Sequence, residues 1–256
     1  MRVAALFPAA GLGLRLGPGT PKAFRTLAGH SLLQHAVRAV CADDRVDRVM
    51  VAVPEGNVAE TAADLSQLVR VPVSVVAGGV LRQDSVANLL AALDPSVSHV
   101  LVHDAARPFV PVSVVGRVLD ALAEGQIAVI PVLPVVDTVK EVTGGRDSGE
   151  RVVATLDRSV LRAVQTPQGF SLEVLVRAFA QLPPGLAATD ESSLVERIGV
   201  PVVAVAGDQL AFKVTTPFDL AVADSVAVQP DAFAAPPPES SAAGLASPTT
   251  VGGDSP

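Results

Sequence analysis

Glycines, one arginine and one lysine crowd near the start of the chain, in Pro8-Ala9-Ala10-Gly11-Leu12-Gly13-Leu14-Arg15-Leu16-Gly17 followed closely by Pro21-Lys22. Glycines in such a loop let the backbone turn with positive φ and bring its N–H groups against a ligand. The resulting concavity suits phosphate oxygens, and Arg15 and Lys22 add full positive charge. Two better-known glycine loops do not fit. The dinucleotide fingerprint needs G-x-G-x-x-G opening a helix, whereas the spacing here is G-x-G-x-x-x-G and Pro18, Gly19 and Pro21 cannot continue a helix. The P-loop needs a lysine directly after its last glycine, and Pro18 stands there. A loop holding a nucleoside triphosphate with its own arginine and lysine fits better, and an ordinary glycine-rich turn is the bland alternative.

Further groups collect downstream. Gly78-Gly79-Val-Leu-Arg82-Gln-Asp-Ser85 is a second glycine loop, and His103-Asp104-Ala-Ala-Arg107-Pro108 follows an apolar run. Asp104 suits Mg²⁺, which takes one or two carboxylates together with substrate phosphate oxygens; a lone loop aspartate more usually bonds nearby N–H groups. Arg82 reads equally as a phosphate ligand or a structural ion pair, and Ser85 as a nucleotide contact or a helix cap. Arg107, Arg158 and Lys213 are candidates for gripping an anionic second substrate, against a default of surface ion pairs. Thr138 and Thr166 are ordinary β or turn residues unless their segment reaches the site. His103 reads as a support for its loop, Lys140 as an edge residue, and Thr189-Asp-Glu191 as a helix cap with acidic first-turn residues. Cys41, the only cysteine, falls on the apolar side of a helix as an inert thiol.

These groups need elements to position them. Val3–Phe7, Val46–Val53, Val71–Val76, Val97–Val102 and Ile127–Val136 read as strands, the third as another buried one. Helices are expected from Ser31, whose capping box includes Gln34, to about Ala42, and over Val58–Val69, Ser85–Leu93 and Val112–Glu124. This alternation predicts an α/β fold with a mostly parallel sheet and helices on both faces. Ligands of such sheets sit beyond the C-terminal strand ends, where Pro8–Gly17, Gly78–Ser85 and Asp104–Arg107 should converge. The alternation then breaks. Asp137–Val142 and Arg151–Leu156 read as a protruding β-hairpin arm, about 137–157, closed by Asp157-Arg158. An isolated hairpin is marginal in water, so a homodimer through the arm is expected. Beyond it come a short helix before Gln165-Thr-Pro-Gln168, a helix over Leu172–Leu182, another from Thr189 to about Ile198, strands at Val202–Val205 and Leu210–Thr215, and a helix from Thr216-Pro217 to about Val228. Residues 1–228 form the expected domain; 229–256, rich in Pro, Ala, Ser and Gly, read as a disordered tail.

The 256 residues are 49% apolar and carry a net charge of −7, which disfavours wholesale binding to nucleic acid or an anionic membrane. Only three lysines occur, Lys22, Lys140 and Lys213, and such concentration of cations fits a small polyanionic ligand. The N-terminal apolar run superficially resembles a signal peptide, but Pro8 interrupts it and it leads into the glycine loop. With no stretch uniform enough to span a membrane, a cytoplasmic protein is expected.

Assembled in order, Pro8–Arg15, Pro21-Lys22, Gly78–Val86, His103–Pro108, Asp137-Thr138, Asp157-Arg158, Gln165–Gln168, Thr189–Glu191 and Lys213–Thr215 closely resemble the 2-C-methyl-D-erythritol 4-phosphate cytidylyltransferase family over roughly residues 1 to 226. The resemblance implies a Rossmann-like nucleotidyltransferase fold of three layers. It also implies a reaction in which the phosphate of methylerythritol phosphate attacks the α-phosphorus of CTP and releases pyrophosphate, with Mg²⁺ as cofactor. By the same resemblance, Arg15 and Lys22 stabilise charge at the α-phosphorus and Asp104 holds Mg²⁺. Pro8, Ala9, Ala10, Gly11, Gly13, Gly78, Gly79, Arg82 and Ser85 bind the nucleotide. Arg107, Thr138 and Lys213 bind the sugar-alcohol phosphate, with Arg158 supplied by the other subunit and Thr166 a further candidate to cross with it; Arg158 and Lys213 also count as catalytic. One departure is Ala23, where the family commonly has a glutamine after Pro-Lys. Alternatives are a cytidylyltransferase for another polyol phosphate such as ribitol 5-phosphate, a guanylyl- or uridylyltransferase, a non-catalytic nucleotide-binding regulatory module, and an NAD-dependent oxidoreductase, which the glycine spacing disfavours.

Overall fold

The first strand is apolar at every position, and the fold buries it on both faces. In the computed structural model, which describes residues 1–11, 13, 21–145, 149–183, 185 and 187–229, β1 (Val3–Pro8) lies mid-sheet. After a 3-10 turn at Lys22–Phe24 come a small hairpin, β2 (Thr26–Leu27) and β3 (His30–Ser31), then α1 (Leu32–Val40), β4 (Val46–Val53), α2 (Val58–Leu68), β5 (Val73–Ala77), α3 (Arg82–Ala91), β6 (His99–Val102), α4 (Val112–Ala123) and β7 (Ala128–Pro134). The second half adds β8 (Lys140–Thr143), β9 (Arg151–Thr155), β10 (Arg162–Val164), β11 (Gln168–Ser171), α5 (Leu172–Ala180), α6 (Glu191–Arg197), β12 (Val203–Ala206) and α7 (Pro217–Val228).

Strand side chains alternate between faces, so β1 feeds two cores. Val3, Ala5 and Phe7 pack with Leu33 and Val37 of α1, Leu65 of α2 and Val114 and Val118 of α4. Ala4 and Leu6 pack with Val86 and Leu89 of α3, Leu175 of α5 and Leu194 of α6. The result is three layers, helices on both sides of one sheet. Local signals start the helices where expected: Ser31 and Gln34 form a reciprocal capping box, and Thr216 and Asp219 form another at α7, with Pro217 in the first turn.

Parallel pairing of β1 with β4, β6 with β1 and β5 with β4 brings three strand ends to one edge. There the Ala9 N–H donates to the Ala52 carbonyl at 2.7 Å, the Gly78 N–H to Val53 at 2.8 Å and the His103 N–H to Leu6 at 2.9 Å. The loops after β1, β5 and β6 are therefore tied to the same rim, as the strand pattern predicts.

Several expectations need correction. Val71–Val76 is not a buried strand: β5 is the sheet edge and leaves Ser74 and Ala77 exposed. Leu210–Thr215 is not a strand but a 3-10 turn at Gln209–Ala211 followed by an extended segment; Ala211 and Val214 are its buried anchors. Gln165–Gln168 does not follow directly on a short helix, because β10 intervenes after a 3-10 turn at Arg158–Val160. β10 and β11 run antiparallel along one side of β7 while β12 runs parallel along the other, and β11 wedges between β6 and β7. The hairpin of β8 and β9 forms a separate two-stranded sheet, joined across its strands by the Lys140 ammonium donating to Thr155 Oγ1 at 2.6 Å. Arg15 and Gly17 of the first loop, and the tail beyond Gln229, lie outside the described residues.

Candidate active site

Beyond this strand edge opens a cleft of about 210 Å³. Pro8, Ala9, Ala10, Gly11 and Gly13 form one wall with Lys22, and Gly79, Arg82 and Ser85 the other; Asp104 and Lys213 close the end. Close approach explains two of the glycines. At Gly13, with φ of +63°, a Cβ would fall 2.3 Å from Lys22 Cβ. At Gly78 it would fall 2.3 Å from Ala10 Cβ and 2.9 Å from Ser85 Oγ, so Gly78 lets the two loops touch. Ser85 is buried, and its hydroxyl accepts the Gly79 N–H at 3.1 Å. It holds the glycine loop in shape from beneath. Ala23 is buried in the core beside Lys22.

A second cleft, about 320 Å³, is lined by Arg107, Gln165, Thr166, Gln168, Thr189 and Asp190 and shares Arg82, Asp104 and Lys213 with the first. These three residues form the junction. Asp104 Oδ1 receives Arg82 Nε at 3.0 Å and lies 3.0 Å from Arg82 Nη2, while Oδ2 lies 2.7 Å from Lys213 Nζ. Burial acts to raise the Asp104 pKa, but Arg82 and Lys213 overcome it and hold the carboxyl well below the usual range. Arg82 also donates from Nη1 to Glu191 Oε1 at 2.6 Å. Of its two readings the ion pair is realised, in a position that still lines both clefts.

The surrounding residues brace this junction. His103 is fully buried, and burial lowers its pKa to about 4, so the ring is neutral. Its Nε2–H donates to the Arg107 carbonyl at 3.0 Å, which leaves Nδ1 to accept the Thr166 hydroxyl at 3.0 Å; Thr166 Oγ1 in turn accepts the Asp104 N–H at 3.1 Å. The histidine supports the loop and is not a base, as its sequence setting suggests. Thr166 thus reaches the junction within its own chain. Arg107 donates to the Ala211 carbonyl at 2.6 Å and to Val164 at 3.2 Å, tying the Asp104 loop to the segment that carries Lys213.

Sequence reasoning missed three supports. Gln165 clamps Asp208, donating to its carbonyl at 2.8 Å and accepting its N–H at 3.0 Å. Gln168 donates to Asp190 at 2.8 Å and accepts the Ser192 N–H at 3.0 Å, fixing the start of α6. Asp190 is the helix cap, as expected, but Glu191 is more than a first-turn acid: it is buried against Arg82. Thr138 and Arg158 are not brought in by their own chain. Both are exposed at the base of the arm, Arg158 donates to the Val136 carbonyl, and neither lines either cleft. Cys41 sits at the end of α1, half-buried, where burial pushes its thiol up to about 12.

Comparison with known proteins agrees with this architecture. The family model described as 2-C-methyl-D-erythritol 4-phosphate cytidylyltransferase matches residues 3–229. A protein of that name from Saccharopolyspora erythraea is 51% identical over 229 residues, covering 88% of this chain and 99% of its own. Another from Streptomyces avermitilis is 49% identical over 230 residues, covering 88% and 91%. Among solved structures, the Thermus thermophilus 2-C-methyl-D-erythritol 4-phosphate cytidylyltransferase superposes with a TM-score of 0.69 at 38% identity, covering 89% of this chain and 100% of that one.

Proposed function

The chain belongs to the 2-C-methyl-D-erythritol 4-phosphate cytidylyltransferase family, and from that premise we propose how its own residues share the reaction. It transfers the cytidylyl group of CTP to 2-C-methyl-D-erythritol 4-phosphate in the non-mevalonate route to isoprenoid precursors. A phosphate oxygen bonds to the α-phosphorus as the bond to the β-phosphate breaks, giving 4-diphosphocytidyl-2-C-methyl-D-erythritol and pyrophosphate. No protein nucleophile is required, since the attacking phosphate is already ionised. The obstacle is bringing two polyanions together, which fixed cations and positioning overcome.

The junction of two clefts at Arg82, Asp104 and Lys213 carries this reading. CTP takes the first cleft, with its cytidine framed by the Pro8–Gly11 backbone, Gly78, Gly79 and Ser85 and its phosphates near Gly13, Lys22 and Arg15. Lys22 and Arg15 stabilise charge around the α-phosphorus. Methylerythritol phosphate takes the second cleft, against Arg107, Thr166 and Lys213. Asp104 suits a divalent cation: it is a hard oxygen donor, held ionised, facing the cleft where phosphate oxygens would complete the coordination. Bound there, Mg²⁺ would neutralise charge on the triphosphate.

Arg158 and Thr138 enter this scheme from a second copy. The arm exposes Val152 at 60% and Val153 at 55%, and the segments flanking it expose Val136 at 78% and Val160 at 76%, apolar surface that a homodimer would cover. A cytoplasmic setting belongs to the same reading; among the described residues no helix is long and apolar enough to cross a membrane.

Pyrophosphate release with CTP and Mg²⁺ tests the assignment. Release is expected with methylerythritol 4-phosphate and not with ribitol 5-phosphate; the reverse preference would reassign the substrate, and silence with both would leave only a nucleotide-binding module. The loop contact has its own test. Gly78→Ala forces a methyl against Ala10 and Ser85, and overpacking of this kind costs about 1–3 kcal/mol. CTP affinity measured by calorimetry should fall roughly ten-fold or more in this variant, and unchanged affinity would mean that the loops can separate freely.

A further inference from the structure

Arg82 meets Asp104 in an incomplete way. A guanidinium edge facing a carboxylate normally gives two parallel bonds, one to each oxygen. Here Nε and Nη2 both converge on Oδ1, each at 3.0 Å, and Oδ2 is left to Lys213 at 2.7 Å. The remaining nitrogen explains the offset: Nη1 is held by Glu191 Oε1 at 2.6 Å, from the first turn of α6.

Glu191 is an unusual residue in that place. Its side chain is 2% exposed, it lines neither cleft, and its second oxygen, Oε2, is buried without a hydrogen-bond partner. A buried ion pair adds little net stability, because the desolvation of its charges offsets most of their attraction. Arg82 would keep a counterion without it, because Asp104 is already within reach. Exposure rises along the series, from Glu191 at 2% through Asp104 at 11% and Arg82 at 28% to Lys213 at 40%. The buried end anchors, and the open end faces substrate.

We infer that Glu191 is a positioning residue: by holding Arg82 on Oδ1 of Asp104, it leaves Oδ2 to Lys213 alone, the more exposed partner, which a divalent cation would displace. With Glu191 gone, the guanidinium is free to rotate into the two-oxygen pairing, which displaces Lys213 and closes the oxygen a divalent cation would use. The inference rests on the proposed role of Asp104 as the cation's carboxylate.

The test is Mn²⁺ binding to the enzyme–CTP complex, without the second substrate, followed by the electron-spin-resonance signal of free Mn²⁺. Glu191→Leu should weaken Mn²⁺ binding about ten-fold, the effect typical of residues that orient a metal ligand. Glu191→Gln keeps an acceptor for Nη1 and should stay within about three-fold of the parent. Should Glu191→Leu fail to fold, Glu191→Asp, one methylene too short for the contact, should show the same loss. Asp104→Asn separates the two layers of the argument. If it weakens Mn²⁺ while Glu191→Leu and Glu191→Asp do not, the role of Glu191 is overturned and that of Asp104 stands. If Asp104→Asn binds Mn²⁺ like the parent, the reading of Asp104 falls and takes this inference with it.

Discussion

Lys213→Ala is expected to leave CTP affinity within about three-fold of the parent while lowering kcat roughly 10²–10³-fold, the ~2–4 kcal/mol that one aimed charge contributes to a transition state. The asymmetry follows from where the ammonium stands. Lys213 closes one end of the first cleft and also lines the second, paired with its own oxygen of Asp104 across the carboxylate from Arg82. Its backbone is fixed on both sides: Ala211 and Val214 are fully buried, and the Val214 N–H donates to the Ala106 carbonyl at 2.8 Å. The side chain therefore enters the junction from a rigid base, and Asp104 orients it. In this scheme it meets the incoming phosphate and the charge that develops as that phosphate bonds to the α-phosphorus.

Removing it should not discharge Asp104, because Arg82 still pairs with that carboxylate. The nucleotide cleft should keep its shape, and calorimetry with CTP should report near-parent affinity. Steady-state kinetics should show the loss in kcat and in kcat/KM for the sugar-alcohol phosphate. An equal fall in CTP affinity and turnover would refute the split, since it would make Lys213 part of ground-state nucleotide binding. Lys213→Arg should not restore activity, because a planar fork facing Asp104 would pair with both carboxylate oxygens instead of presenting a point charge to the phosphate.

What could be read before the structure was local or repetitive. The β1 run, the glycine loops at strand ends and the capping boxes at Ser31 and Thr216 are each contained within a few residues, and the alternation of strands with helices dictates the sheet that gathers them. Asp104, Lys22 and Lys213 stand out because cations are few and acids at strand ends are conspicuous. The hidden parts depend on distant partners. β11 pairs with β6 and β7, and nothing inside Gln168–Ser171 announces a place between them. Leu210–Thr215 alternates like a strand, yet its anchors are the Asp104 loop and α7, not a neighbouring strand. Glu191 looks like a helix-start acid because its partner, Arg82, is 109 positions away. The supports supplied by Gln165, Gln168 and Glu191 are thus invisible to spacing, although the cleft they shape is not.

Mixing two inactive variants should recover activity, and this is the strongest expectation for the arm. Arg158 and Thr138 line neither cleft of their own chain, while the β8–β9 hairpin pairs only with itself among the described residues and exposes Val142, Val152 and Val153. In the proposed two-fold dimer each arm would reach the other subunit's site, so every complete site would take Lys213 from one chain and Arg158 from the other. Arg158→Ala alone, like Lys213→Ala alone, should be nearly inactive. In a mixed dimer of the two, one site carries both lesions and the other carries none. Random reassortment makes about half the dimers mixed, and one of their two sites is intact, so about a quarter of the parent activity should return. Coexpression or joint refolding of the two variants, followed by pyrophosphate release, measures it. If both cations serve the same chain, the mixture can show no more than the average of the two residual rates, and the arm would be only a means of assembly. Val160→Asp adds the converse: a charge in place of this exposed apolar side chain, in the turn that follows the arm, should shift the protein to monomer in sedimentation and abolish turnover. A fully active monomer would remove the second subunit from the chemistry altogether.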